Sequence, residues 1–357
     1  MCPLALELKS RPQAQVQVCV TGQHRRMLDP VLEAFHIVPD YDLAILKDGQ
    51  TLFDITGAIL EGLQEVLSSA KPDIVLVHGD TTTTFAAALA CFYQHIPIGH
   101  VEAGLRTYRL EAPYPEEFNR QAVDIVSRWL FAPTETCRAN LLREGKDRTG
   151  IYVTGNTAID ALKTTVREDF THPLLDWAED SRLLLVTAHR RENIGEPMRC
   201  MFRAIRRVVR AYPDVKAVYP VHLNPQVRRI ACEELTDCER IRLTEPLDVI
   251  VFHNLMARSY LVLTDSGGLQ EEAPSLGKPV LVMREVSERP EGVAAGGLAL
   301  VGTEEQTIYD ACCALLDSAA AYERMARAGN PYGDGTACRR IADILLAEEE
   351  RGGKIDG

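Results

Sequence analysis

Two carboxylates stand where acid/base chemistry is usually done. Asp80 follows the apolar run Ile74–Val77 through His78 and Gly79, in DIVLVHGDTTTT, and Glu102 closes the run Ile96–Val101 in HVEAGLRT. Apolar runs of this kind read as parallel strands buried on both faces, and open parallel sheets bind ligands beyond the carboxyl ends of their strands. Two carboxylates converging there suit proton transfer, one group taking a proton while another gives one. An acid at a strand end is also a natural cap for the helix that follows. For either residue alone the two readings balance, and the pair tilts them toward function. A third acid, Glu116, opens a helical pattern in PYPEEFNR. The helix dipole alone favours acids there, but its nearness to Glu102 in sequence keeps the catalytic reading open.

Other residues suit an anion. Thr264-Asp265-Ser266-Gly267-Gly268 lies between the strand Tyr260–Leu263 and the helical pattern Leu269–Leu276. Glycines at a strand-to-helix turn let backbone N–H groups approach a phosphate, and Glu272, one turn in, is within reach of ribose hydroxyls. A tight turn with no ligand explains the same residues, and its place in a second α/β domain is what raises the functional reading. His189-Arg190-Arg191 follows Leu183–Thr187 and makes a local cationic site. Each arginine is equally a solvated surface charge, so His189 is the strongest candidate. Arg284 and Arg289, beside Glu285 and Glu288, either reach a phosphate or pair with those glutamates; His222 in PVHLNP is a turn histidine or a ligand.

Strand-like runs alternate with helix-like runs from end to end, which predicts an α/β chain with parallel sheets covered by helices. The expected strands are Val16–Thr21, Ile74–His78, Ile96–Val101, Trp129–Ala132, Ile151–Thr154, Leu183–Thr187, Ala217–Val221, Ile241–Leu243, Tyr260–Thr264, Val280–Met283 and Leu298–Val301. A length of 357 residues suffices for two cores. The irregular, acidic segment Arg167–Ser181 sets the boundary, giving domains at 1–168 and 169–335, with 336–357 a helix and frayed tail packing back on the first. Pro3–Lys9 reads as a helix with no strand before it, so either the fold starts unusually or a first strand and its loop are missing. The net charge of −12 argues against nucleic acid and membrane surfaces as partners. No apolar run approaches the roughly 20 residues of a membrane span. The ten cysteines are scattered without a CxxC pair, which points to free thiols in a reducing cytoplasm and away from a zinc site.

Taken together, HGDTTTT, HVEAGLRT, PYPEEFNR, TGNTAIDAL, TAHRREN, PVHLNP, TDSGGLQEEAPSLGKPV and NPYGDG resemble, in order from about Val18 to Arg340, the non-hydrolysing UDP-N-acetylglucosamine 2-epimerases. The resemblance implies the glycosyltransferase-B architecture, two Rossmann-like domains facing a cleft. It also implies interconversion of UDP-GlcNAc and UDP-ManNAc with no NAD and no metal, and a homodimer serving cell-wall polysaccharide synthesis. It assigns acid/base and sugar-site roles to Asp80, Glu102 and Glu116, and places His189 near the diphosphate. Ser266, Gly267, Gly268 and Glu272 match the UDP-binding positions, and Phe252 and Arg289 match further nucleotide contacts. Gln23, Arg190 and His222 match an allosteric site for a second UDP-GlcNAc. Arg26 and Gly49 depart from the glutamine and arginine found in regulated members. The family's opening strand and GTRPEAIK-like loop have no counterpart after Met1, which implies a defective sheet and a weakened site. Three readings stay open beside the epimerase: another enzyme of the same architecture, an epimerase releasing free ManNAc, and an inactive or truncated protein that binds a sugar nucleotide.

Overall fold

The computed structural model of the chain describes every residue except His24, Asp48, Glu288 and 351–357, and only the backbone of Arg26, Met27 and 348–350. It divides into two compact units, Met1–Ala161 with Tyr332–Gly357, and Leu162–Pro331. The first division falls inside the helix Thr157–Thr165, upstream of the acidic segment 167–181. That segment carries a helix, Pro173–Ala178, whose Leu174 and Ala178 pack with Leu183, Val218 and Leu255 in the second unit. The second division precedes Tyr332 rather than falling after 335. Tyr332 is buried, and its carbonyl accepts a hydrogen bond from Asn156 N at 2.7 Å.

The first unit holds β1 (Cys19–Val20), β2 (Tyr41–Asp42), β3 (Val75–His78), β4 (Ile98–Val101), β5 (Trp129–Ala132) and β6 (Ile151–Val153). The last four form a parallel sheet in chain order, and β1 pairs with β2 in a separate two-stranded parallel sheet. The long strand expected over Val16–Thr21 is thus two residues, and β2 carries too short an apolar signal to be read. Strands β4 and β5 are buried throughout. In β3 only Val77 is fully buried. Its apolar run suggests a strand covered on both faces, but β3 lies at the sheet edge. The helix Leu52–Ala70 opens on a Thr51–Asp54 capping box and buries Ile55, Ile59, Leu63 and Leu67, one per turn. These residues pack with Val77, Ala86 and Ile98.

The helix Cys2–Lys9 sets Leu4 and Leu8 against Trp129, Phe131, Ile341 and Ala342, the last two from the helix Ala337–Glu350. Asp160 holds the start of that terminal helix, accepting from Ala337 N at 3.1 Å and Cys338 N at 2.9 Å. The helix runs through the first three residues of the tail expected to fray, and the rest of that tail lies outside the described residues.

The second unit carries β7 (Arg182–Thr187), β8 (Val215–Pro220), β9 (Ile241–Thr244), β10 (Leu261–Thr264), β11 (Val280–Val282) and β12 (Leu298–Leu300). All are parallel, in the order β12-β11-β10-β7-β8-β9. Counted from β7 this is 3-2-1-4-5-6, the doubly wound Rossmann order, whose direction of growth reverses between β7 and β10. The helix Glu196–Ala211 buries Met198, Met201, Phe202, Ile205, Val208 and Val209 and turns five arginines outward, the periodicity of an amphipathic helix. Strand β10 is buried at every residue, as its unbroken apolar run predicts. Among the described residues no helix is long and apolar enough to cross a membrane.

Candidate active site

A doubly wound sheet offers a ligand the crevice where strand order reverses, so in the second unit the ends of β7 and β10 are the place to look. Thr187 and Thr264 are register partners whose hydroxyls lie 2.6 Å apart. One residue beyond Thr264 is Asp265, fully buried. Its carboxylate accepts from His189 N at 2.9 and 3.1 Å, from Arg190 N at 2.9 Å and from Asn193 Nδ2 at 3.1 Å. Asp265 thereby ties the loop after β7 to the end of β10 and fixes the backbone of His189 beside Ser266. The ring of His189 stacks on His222, with centroids 5.3 Å apart. Burial above all holds the His189 imidazolium below its ordinary range, and the Asp265 carboxylate opposes this.

Ser266 N donates to Thr264 Oγ1 at 2.9 Å, which leads the chain into the helix Leu269–Ser275. Gly268 has φ −62° and ψ −41°, and a Cβ built there meets nothing within 4 Å. The fold therefore has no need of glycine at this position. Glu272 faces His253, with Oε2 to Nε2 at 3.6 Å, and the ring of Phe252 lies edge-on to His253. Arg289 is ion-paired with the buried Glu271.

In the first unit, the ends of β3 and β4 bring Asp80 and Glu102 side by side. Gly79 has φ 68°, and a Cβ there would lie 3.1 Å from Glu102 Oε2. Glu102 itself has φ 71°, a left-handed conformation that costs a residue with a side chain about 1 kcal/mol or more. Its Oε1 accepts from Asn156 Nδ2 at 3.2 Å. The Asp80 carboxylate is paired with Arg120, and its carbonyl accepts from Asn119 Nδ2 at 2.9 Å. Arg120 Nε is buried with no hydrogen-bond partner among the described residues. Beneath this turn His100 is buried, with Nε2 2.8 Å from the Gly79 carbonyl and Nδ1 2.6 Å from Asp124 Oδ1. Asp124 also receives Arg106 Nη2 at 2.6 Å and Gly104 N at 3.3 Å. Burial pushes its carboxyl up, and the charges of His100 and Arg106 more than offset this and hold it below the ordinary range.

Of the residues that sequence reasoning singles out, the fold brings together Asp80 and Glu102 at the ends of β3 and β4, and His189 and Arg190 after β7 with His222 after β8, whose ring stacks on His189. Glu116 sits at the start of the helix Glu116–Val126, and among the described residues no hydrogen bond or ion pair engages its carboxylate. Its neighbour Glu117 is the structural member of the pair: buried, it accepts from Thr107 N at 3.0 Å and Tyr108 N at 2.9 Å. Gln23 accepts from Thr83 Oγ1 at 3.0 Å, in the first unit. Glu288, and the side chain of Arg26, lie outside the described residues. Arg284 reaches Glu192 at 3.3 Å. No disulfide joins any of the ten cysteines. The supporting roles of His100, Asp124, Asn156 and Asp265 were missed. One signal was available: Glu117 and Asp124, seven residues apart, fall on the inward face of one helix.

The family model described as UDP-N-acetylglucosamine 2-epimerase matches residues 6–346. The Bacillus subtilis UDP-N-acetylglucosamine 2-epimerase is 58% identical over 346 residues, which cover 97% of this chain and 91% of the relative. The crystal structure of UDP-GlcNAc 2-epimerase from Neisseria meningitidis bound to UDP-GlcNAc superposes with a TM-score of 0.89 at 48% identity, covering 97% of this chain and 96% of that one. A Listeria monocytogenes structure provisionally given the same name reaches a TM-score of 0.93 at 52% identity, over 99% of this chain and 94% of its own.

Proposed function

This chain belongs to the UDP-N-acetylglucosamine 2-epimerase family, and from that premise we propose that it interconverts UDP-GlcNAc and UDP-ManNAc by inverting C2 of the sugar. The C2 hydrogen is not acidic, because no carbonyl activates it. Expelling UDP solves the problem. The C1–O bond breaks with its electron pair leaving on UDP, a carboxylate takes the C2 proton, and a C1=C2 double bond forms, giving 2-acetamidoglucal. Protonation of C2 on the other face and return of UDP to C1 give the epimer. Atoms and electrons balance without NAD or any other redox partner.

Inversion needs more than one acid/base group around one carbon, and Asp80, Glu102 and Glu116 fill those roles. Departure of UDP needs positive charge and dipoles at the diphosphate. His189 is proposed there, with Ser266, Gly267, Gly268, Glu272, Phe252 and Arg289 holding the nucleotide. The observation that carries the reading is the pair of strand-end carboxylates, with Glu102 Oε2 3.1 Å from where a Cβ on Gly79, next to Asp80, would lie, in a chain matched to this family over residues 6–346. The same proposal extends to a cytoplasmic homodimer feeding cell-wall polysaccharide synthesis, checked by sedimentation and by fractionation. It includes a second UDP-GlcNAc at Gln23, Arg190 and His222, checked by sigmoidal kinetics.

The test is incubation with UDP-GlcNAc in D₂O, followed by proton NMR. Deuterium enters C2 and the sugar stays on UDP. Asp80→Asn slows exchange by ~10²–10⁴-fold, the usual contribution of a positioned proton carrier, while UDP binding persists. Free ManNAc as product, or full-rate exchange in Asp80→Asn, contradicts the mechanism.

A further inference from the structure

The turn that presents Asp80 has an unusual support. His100 is completely buried, and both ring nitrogens face oxygen acceptors, the Gly79 carbonyl at 2.8 Å and Asp124 at 2.6 Å. A carbonyl oxygen can only accept, so Nε2 carries a hydrogen aimed at Gly79. On the other side of the ring, Asp124 is held by Arg106 and by Gly104 N, and Arg106 is gripped in turn by Glu144 at 2.7 Å. Ring rotation would break both contacts at once.

Gly79 is the residue through which both candidate acids are placed. It precedes Asp80 directly, and a Cβ on it would lie 3.1 Å from Glu102 Oε2. Its φ of 68° is left-handed and it lies just past the end of β3, and the imidazole supplies the partner that a buried carbonyl requires. Resting on the epimerase reading above, we propose that His100 is a positioning residue. It clamps the Gly79 carbonyl through Nε2, and Asp124 and Arg106 hold the ring in orientation, so that Asp80 and Glu102 keep their mutual geometry.

Two amide substitutions separate this role from simple burial of a charge partner. Asparagine at position 100 places its amide where Nδ1 was, so His100→Asn still meets Asp124 but no longer reaches Gly79. Glutamine extends to where Nε2 was, so His100→Gln still donates to Gly79 but leaves Asp124 with Arg106 and Gly104. The clamp predicts that His100→Asn still folds, less stably for the unpaired Gly79 carbonyl, yet loses ~100-fold in kcat, the cost of a misplacement near 1 Å. His100→Gln melts at a lower temperature but keeps kcat within about tenfold of wild type, because the donor to Gly79 is retained. Neither moves the Kd for UDP, measured by calorimetry, by more than about twofold, since no UDP contact is assigned to this turn. A role confined to neutralising Asp124 predicts the opposite order, with asparagine active and glutamine impaired.

Each variant decides by itself. His100→Asn at wild-type kcat overturns the clamp, and so does His100→Gln falling as far as His100→Asn. A loss of UDP affinity parallel to the loss of kcat overturns it as well, because it would mark general unfolding of the site. A wild-type chain that puts no deuterium at C2 removes the epimerase reading and this inference with it. Wild-type exchange with an unimpaired His100→Asn removes the inference alone.

Discussion

Gly268→Ala separates what the fold needs from what a ligand needs. The residue sits in the right-handed helical region, φ −62° and ψ −41°, and an added methyl meets no atom within 4 Å. Nothing in the chain opposes alanine. Removing glycine's freedom from the unfolded chain should stabilise the protein by ~0.4–1 kcal/mol. That raises Tm by at most about 4 °C in a domain of this size. A ligand lying against the Gly267–Gly268 backbone would meet the new methyl. An overpacked contact costs ~1–3 kcal/mol, which at 1.4 kcal/mol per decade is a roughly 5- to 150-fold weaker Kd for UDP. Calorimetric titration with UDP and a thermal melt on the same sample read both quantities. The reasoning fails if UDP affinity stays within about twofold of wild type, and equally if the variant loses several degrees of stability. The first result would leave the turn without a nucleotide, and the second would show that the fold itself demanded glycine.

Two further outcomes follow from the geometry. Gly104→Ala should lose about 3 kcal/mol or more on urea denaturation, since alanine is strained at φ 84° and its Cβ would lie 2.4 Å from the immovable Cys137 carbonyl; a loss below about 1 kcal/mol would contradict the packing there. The folded chain resists protonating His189, whose value is held below the ordinary 6.5 chiefly by burial, with His222 and Arg190 acting the same way against Asp265 and Glu192. The stability linked to it is therefore intact above 6.5 and declines as pH falls below that value, and His189→Gln should flatten this acid limb in denaturation midpoints; an unchanged limb would refute it.

The parts of the fold that were legible in the sequence are those in which one residue pattern had one physical cause. Trp129–Ala132 was read with the bounds it has, because a strand buried on both faces is an unbroken apolar run. Glu196–Ala211 carries an equally plain signal, because its arginines and its apolar residues segregate at the helical period. Tyr41–Asp42 was invisible because two residues bear no pattern. In β3 the run Ile74–Val77 gave the strand but not its place at the edge, since strand order follows from pairing across the chain. The same limit hid Asp265. Its duty is to His189, 76 residues earlier in sequence, and they meet only because the first and fourth strands of the second unit are neighbours.

That limit also bears on how many of this chain's acids can do chemistry. A loop beyond the end of a parallel strand leaves backbone N–H groups without ladder partners, and buried ones must find an acceptor. Here the acceptor is repeatedly a carboxylate. Asp265 serves His189 and Arg190, Glu117 serves Thr107 and Tyr108, and Asp124 serves Gly104 while orienting His100. A carboxylate with its oxygens committed in this way cannot take up a proton without stranding the donors that point at it. Glu116 has no such duty among the described residues. Among the described residues the Asp80 carboxylate answers only to Arg120, whose own Nε is buried there without a partner. An acid in this protein is thus marked for proton transfer less by standing at a strand end than by the absence of backbone N–H groups bound to it. By that criterion, Glu117→Gln should act chiefly on the stability of the loop at Thr107 and Tyr108, and Glu116→Gln on turnover. The opposite pattern in melting and C2-exchange measurements would show that the two neighbours had been given each other's parts.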